Sequence, residues 1–160
     1  MQQLHKLKNF LGNTGVTGGR HHFLVFKPPI TWRIWEQAGL KYDSTIGFFD
    51  HEGFRCGICL PFRPFDAVEQ REMNVWELPI TVMDCTLDKY RRLSPVEAKF
   101  VLRKLLKKVK KYRGVFVLLW HNTYFGEQNG GRFHEVFADL VQEAIRDGAF
   151  VGPARDVIPF

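Results

Sequence analysis

Long apolar runs are absent from this chain. The longest, Val-Phe-Val-Leu-Leu-Trp at 115–120, falls far short of the roughly 20 residues that a membrane-spanning helix needs, so no segment is expected to cross a bilayer. Cysteine is scarce as well. Three residues among 160, an odd number, give no disulfide scaffold and agree with a reducing compartment. The opening Met-Gln-Gln-Leu-His-Lys-Leu-Lys has no apolar stretch of the kind a secretory signal requires, which makes the expectation a cytoplasmic protein. Also missing are an internal repeat, a Ser/Pro/Gly linker and an Asp-Asp dipeptide. The six histidines, at 5, 21, 22, 51, 121 and 134, form no His-x-x-x-His pair.

What is present is globular. Hydrophobic residues at 45% and charged residues at 25% exclude disorder and collagen-like repeats, and 160 residues can bury a core without a structural metal, so 1–160 is read as a single domain. The net charge of +6 is concentrated in one place. Residues 89–113 hold eleven Lys or Arg against one acid, Glu97, which leaves 12 basic against 16 acidic residues elsewhere. A capping box of Ser94, Pro95 and Glu97 opens a helix that runs to Tyr112. Val101, Leu102, Leu105, Leu106, Val109 and Tyr112 form its apolar stripe, and its lysines take the other side. No stacking aromatics interleave with those lysines, so the basic face reads as solvated surface rather than a nucleic-acid track.

Short apolar runs alternate with amphipathic helices, which favours an α/β layer arrangement of about four or five mostly parallel strands covered by helices. A helix over 2–11 ends at Gly12. An extended piece around Val16 leads to Gly-Gly-Arg-His-His at 18–22, and 23–26 reads as strand or tightly packed loop. A short helix over 31–38 stops at Gly39, and 42–48 is the next strand. Residues 49–74 form a long ordered loop. The run 76–83 is a strand broken by Pro79, with 80–83 as its paired part. Residues 115–120 read as a strand buried on both faces. A final helix carries Phe133, Val136, Phe137, Leu140, Val141, Ala144 and Ile145 on one stripe and stops at Gly148.

In such sheets the polar residues at the C-terminal strand ends share one face, where sites are kept. Arg20 with His22, Asp84, and His121 hold those positions. His121, followed by Asn122, suits a proton donor near neutral pH; its bland alternative is a histidine hydrogen-bonded at a strand end. Asp84 suits the orientation of a histidine, or simply a turn in which it bonds its own backbone. Arg20 offers a fork for a carboxylate or another anion. Cys56-Gly-Ile-Cys59 has redox spacing, yet the Leu-Pro-Phe-Arg-Pro-Phe that follows starts no helix to activate a thiol.

Four stretches carry a family likeness: Gly-Gly-Arg-His-His-Phe (18–23), Thr-Trp-Arg-Ile-Trp-Glu-Gln-Ala-Gly-Leu-Lys-Tyr-Asp-Ser-Thr-Ile-Gly-Phe (31–48), His-Glu-Gly-Phe-Arg-Cys-Gly (51–57) and Leu-Leu-Trp-His-Asn (118–122). Together they resemble the later part of the polysaccharide deacetylase family, the carbohydrate esterase family four type, over about residues 1–147. The resemblance implies the C-terminal part of a distorted seven-stranded β/α barrel and metal-assisted hydrolysis of N- or O-acetyl groups on a carbohydrate. It makes Arg20 the groove arginine that steadies the catalytic base and His121 the proton donor to the leaving amine; Asp84, on its strand-end position alone, is set beside them as a third catalytic residue. His22, Trp120, Asn122, Asp50 and Arg55 become substrate contacts. His22 stands where the family has a proline, and Trp120 where it has a leucine. The family's Asp-Asp and His-x-x-x-His motifs precede the arginine and do not occur here, so no metal is expected on this chain alone, although a divalent ion such as zinc is implied for the complete domain. Open sheet edges then call for a second chain or self-association. The competing expectation is a non-catalytic carbohydrate- or anion-binding module that uses the aromatic loop 48–65 and the basic helix 95–113. A further alternative is a metal set assembled from His21, His22, His51 and cysteines.

Overall fold

In the computed structural model, which describes residues 2–11, 15–126 and 133–158, helices alternate with short, mostly parallel strands. The chain divides into two compact units. One comprises Met1–Thr45, Pro61–Leu78 and Ala154–Phe160, the other Ile46–Leu60 and Pro79–Pro153. The boundary at Leu78 and Pro79 falls inside the run 76–83, and proline is the physical reason. Without an N–H it cannot continue a ladder, so the run is split and its two halves join different sheets.

The first unit contains α1 (Gln2–Phe10), β1 (Gly18–Gly19), α2 (Ile30–Gln37), β2 (Tyr42–Asp43), β3 (Phe65–Asp66), β4 (Arg71–Glu72) and β5 (Trp76–Glu77). Its parallel sheet has the order β1-β2-β5, with Gly19 beside Asp43 and Asp43 beside Glu77. At Gly18 a Cβ would lie 2.3 Å from the Tyr42 carbonyl oxygen, so only glycine admits this pairing. The helix α2 stops as expected, at Gly39 with φ +69°, where Leu40 N–H donates to the Trp35 carbonyl. Trp35, Leu40, Met73 and Val75 form the core. The expected closure of α1 by Gly12 lies outside the described residues.

Three expectations need correction here. Residues 23–26 are neither strand nor tightly packed loop: His22–Leu24 is one 3-10 turn in which Phe23 and Leu24 take positive φ, and Phe23 is 86% exposed. The long loop contains an antiparallel hairpin, β3 with β4, held because the Asp66 carboxylate takes Arg33 through two bonds of 2.5 and 2.9 Å and also accepts the Val68 and Glu69 N–H groups. Finally, 76–77 pairs with β2, so the half before Pro79 is a strand as well.

The second unit contains β6 (Val82–Met83), α3 (Pro95–Lys111), β7 (Leu118–Leu119) and α4 (Phe133–Arg146). β6 and β7 are parallel, with Val82 beside Leu118 and Met83 beside Leu119. The run 115–120 pairs only at its centre. Val117 N–H is taken by the Thr81 hydroxyl, Val115 N–H by the Cys59 carbonyl, and all but Val117 of the run are only partly buried, so a strand covered on both faces does not form. The capping box at Ser94 forms as expected. Ala98, Leu102, Leu106, Val136 and Leu140 pack with Val82, Leu87, Tyr124 and Phe133; full burial stabilises by about 1.5–3 kcal/mol for each large aliphatic side chain. At the ends of the stripes, Tyr112 and Ile145 are exposed.

The basic helix is not wholly turned to solvent. Lys99 pairs with Asp139, Arg103 with Glu143 and Lys110 with Asp147, so two acids on α4 and one just beyond its end answer three of its cations. Among the described residues the helices and short parallel strands form no closed barrel, and no helix is long and apolar enough to cross a membrane.

Candidate functional site

Because β6 and β7 run parallel and in register, the residues that leave both strands emerge at the same end. Asp84 follows β6 and His121 follows β7 by two residues. The carboxylate of Asp84, fully buried, stands 2.8 and 3.0 Å by its two oxygens from His121 Nδ1, and it also accepts the backbone N–H of His121 and, at 2.6 Å, that of Cys85. Three donors on one carboxylate compensate its removal from water. A carboxylate on Nδ1 fixes the tautomer, so Nε2 becomes the nitrogen that exchanges protons. His121 presents that ring to solvent, with 48% of its side chain exposed. A buried anion thus orients a half-exposed imidazole, the arrangement that general acid–base chemistry uses.

The chain turns directly after Asp84. Cys85 has helical backbone angles and leads into a π-type turn, Thr86–Tyr90. That turn is tied by Thr86 Oγ1 to the Phe49 carbonyl at 2.9 Å, and Arg91 beyond it grips Glu52. Tyr124 donates to Asp88 at 2.9 Å, and burial first, with Asp88 second, holds its phenol protonated well above the usual range. The Cys85 thiol is pushed up to about 11, by burial first and by Asp84 second, so at neutral pH it is not a thiolate nucleophile.

The remaining residues singled out in the sequence divide by unit. Asn122 is exposed and opens the 3-10 turn after His121. Trp120 turns its ring toward Tyr124, Phe133 and Phe137, and its buried indole Nε1 has no partner. Asp50 bonds His51 Nδ1 at 2.7 Å, and that bond lowers its pKa. Arg55 donates to the Gly47 carbonyl at 2.8 Å and lies over the Phe48 ring, which also stacks on His51. All of these belong to the second unit.

Arg20 and His22 belong to the first. Arg20 Nε donates to the Ser44 carbonyl at 2.5 Å and its Nη2 to Ser44 Oγ at 3.0 Å; burial lowers its pKa, against the pull of Asp43. His22 is exposed, with its ring against Phe23. Around Arg20 lies a polar centre that sequence reasoning did not single out. Asp43 and Glu77, both fully buried, face each other across β2 and β5. Thr45 Oγ1 donates to Asp43 Oδ1, Trp32 Nε1 donates to Glu77 at 2.8 Å, and Trp35 Nε1 donates to His21 Nε2 at 2.7 Å. The other Asp43 oxygen is buried without a partner, and burial, only partly offset by Thr45 and Arg20, raises its pKa to about 6. The usable signals were an acid between a strand and two hydroxyl residues, Asp-Ser-Thr, and an acid inside an apolar run, Glu77.

Compared with known proteins, the chain matches no family model, no curated protein and no solved structure. The divalent ion implied by the deacetylase resemblance does not fit the residues present, because its acidic pair and His-x-x-x-His pair do not occur. Among the described residues the donors that gather are Asp84, Cys85 and His121, rather than His21, His22, His51 and the Cys56/Cys59 thiols.

Proposed function

We propose that this chain is the C-terminal part of a polysaccharide-deacetylase-like β/α barrel and supplies the acid half of its chemistry. The Asp84–His121 pair carries this reading. In hydrolysis of an N-acetyl sugar, water adds to the acetyl carbon, the carbon–nitrogen bond breaks, and the departing nitrogen must gain a proton. His121 gives that proton from Nε2, while Asp84 stabilises the imidazolium and holds the ring in place. Arg20, in the first unit, is bound to Ser44 and keeps the end of β2 rigid. Within the second unit, Asn122, Asp50 and Arg55 are the residues we assign to sugar contacts. The strand edges left open by two-residue strands are read as the place where a second chain or another copy completes the barrel.

On this reading the chain lacks the groups that activate water, so it should not turn over substrate unaided. Purified protein with zinc or cobalt and an N-acetylated chito-oligosaccharide should release no free amine; robust turnover would overturn the fragment reading. Exposed Phe49, Ile58 and Leu60 in the aromatic loop favour a second reading, a non-catalytic carbohydrate-binding module. A sugar titration separates the two. Binding that survives His121→Ala unchanged supports the module, whereas binding weakened by that change supports the acid role.

A further inference from the structure

The residue after Asp84 is a cysteine, and in a strand it would point to the opposite face. Here the strand has ended. Cys85 has φ −68° and ψ −20°, so the backbone curls at once and adjacent side chains can address one point. A carboxylate oxygen of Asp84, the sulfur of Cys85 and a ring nitrogen of His121 all lie within 4.8 Å of one another. We infer that these three side chains form a site for zinc or a similar thiophilic divalent cation, independent of whether the chain acts on carbohydrate.

The donor set selects the ion. Sulfur and imidazole suit zinc and cobalt, while magnesium and calcium need oxygen ligands, of which this site offers one carboxylate. Donors around tetrahedral zinc sit roughly 3.3–3.8 Å apart, so the observed cluster needs only small side-chain adjustments. Asp84 is already held by the backbone N–H groups of Cys85 and His121, which fixes a first ligand from the buried side. The half-exposed imidazole marks the side from which an ion arrives, and it leaves the fourth position to water, as in zinc sites with three protein ligands. A cation held there occupies the ring that the acid role needs, so metal loading and proton donation by His121 exclude each other.

Titration of the metal-free, reduced protein with cobalt(II) tests the site without any turnover assay. The expected result is one equivalent bound, visible d–d bands of a tetrahedral ion, a near-ultraviolet sulfur-to-cobalt charge-transfer band, and displacement by zinc but not by magnesium. Cys85→Ser should abolish the charge-transfer band and weaken binding by at least about tenfold, as should His121→Ala, while a Cys56→Ser/Cys59→Ser double variant should leave both intact. Circular dichroism of each variant checks that the fold survives. A charge-transfer band that persists in Cys85→Ser, or one lost only in the double variant, would overturn the assignment, as would affinity for magnesium equal to that for cobalt. A failed deacetylase reading would leave the cobalt spectrum untouched, so the two ideas fall separately.

Discussion

The two units each bury carboxylates at the ends of parallel strands, but they employ them differently. In the first, Asp43 and Glu77 are enclosed, and the nearby guanidinium of Arg20 is committed to Ser44. In the second, Asp84 is enclosed too, yet its partner His121 faces solvent. An enclosed charge whose neighbours are all protein groups stiffens a sheet end; an enclosed charge behind an accessible imidazole can pass a proton to something that arrives. Burial alone does not distinguish architecture from chemistry. The exposure of the partner does.

That contrast can be broken most sharply at Asp84. Asp84→Ala should destabilise the protein by about 3 kcal/mol in urea unfolding, because it strips the acceptor from three donors. His121→Ala should cost under about 1 kcal/mol, since the ring is half exposed. Equal losses would mean that the imidazole is structural after all.

Next in size is a pH effect in the first unit. Asp43 titrates near 6 in the folded protein, above its unfolded value near 4, so the native state favours the protonated form. Its contribution is complete below about pH 4 and is lost as pH rises through 6. The stability of wild type minus that of Asp43→Asn should therefore fall by about 2 kcal/mol between pH 4.5 and pH 8. A flat difference would show that water or Arg20 compensates the unpartnered oxygen. Ser94→Ala should cost about 1 kcal/mol through loss of the helix cap, read by thermal unfolding. The smallest effect is expected at Lys110→Ala, within about 0.5 kcal/mol and vanishing in high salt, because its bridge to Asp147 is exposed.

Local signals were the legible ones. Ser94, Pro95 and Glu97 announce α3, and Gly39 and Gly148 end their helices at positive φ, because a cap is decided within a few residues. Asp84 and His121 were each legible as polar residues ending apolar runs. What the runs could not reveal was how little of them pairs. At 115–120 a threonine hydroxyl 36 residues away takes a ladder donor, and at 76–83 one proline sends two strand pieces to separate sheets. The hairpin inside the long loop depends on Arg33 meeting Asp66, a partnership with no periodic trace. Cys85 joined the site only because a π-type turn follows β6, and no propensity marks such a turn.

The interleaving of the units has a consequence for biosynthesis. Residues 154–158, with Ile158 buried, belong to the first unit although all of the second unit is translated before them. On the ribosome the later-encoded body can therefore close while the earlier one still waits for its last piece. A released chain ending at residue 153 should hold a folded second unit, 46–60 with 79–153, and a first unit that remains open to proteases.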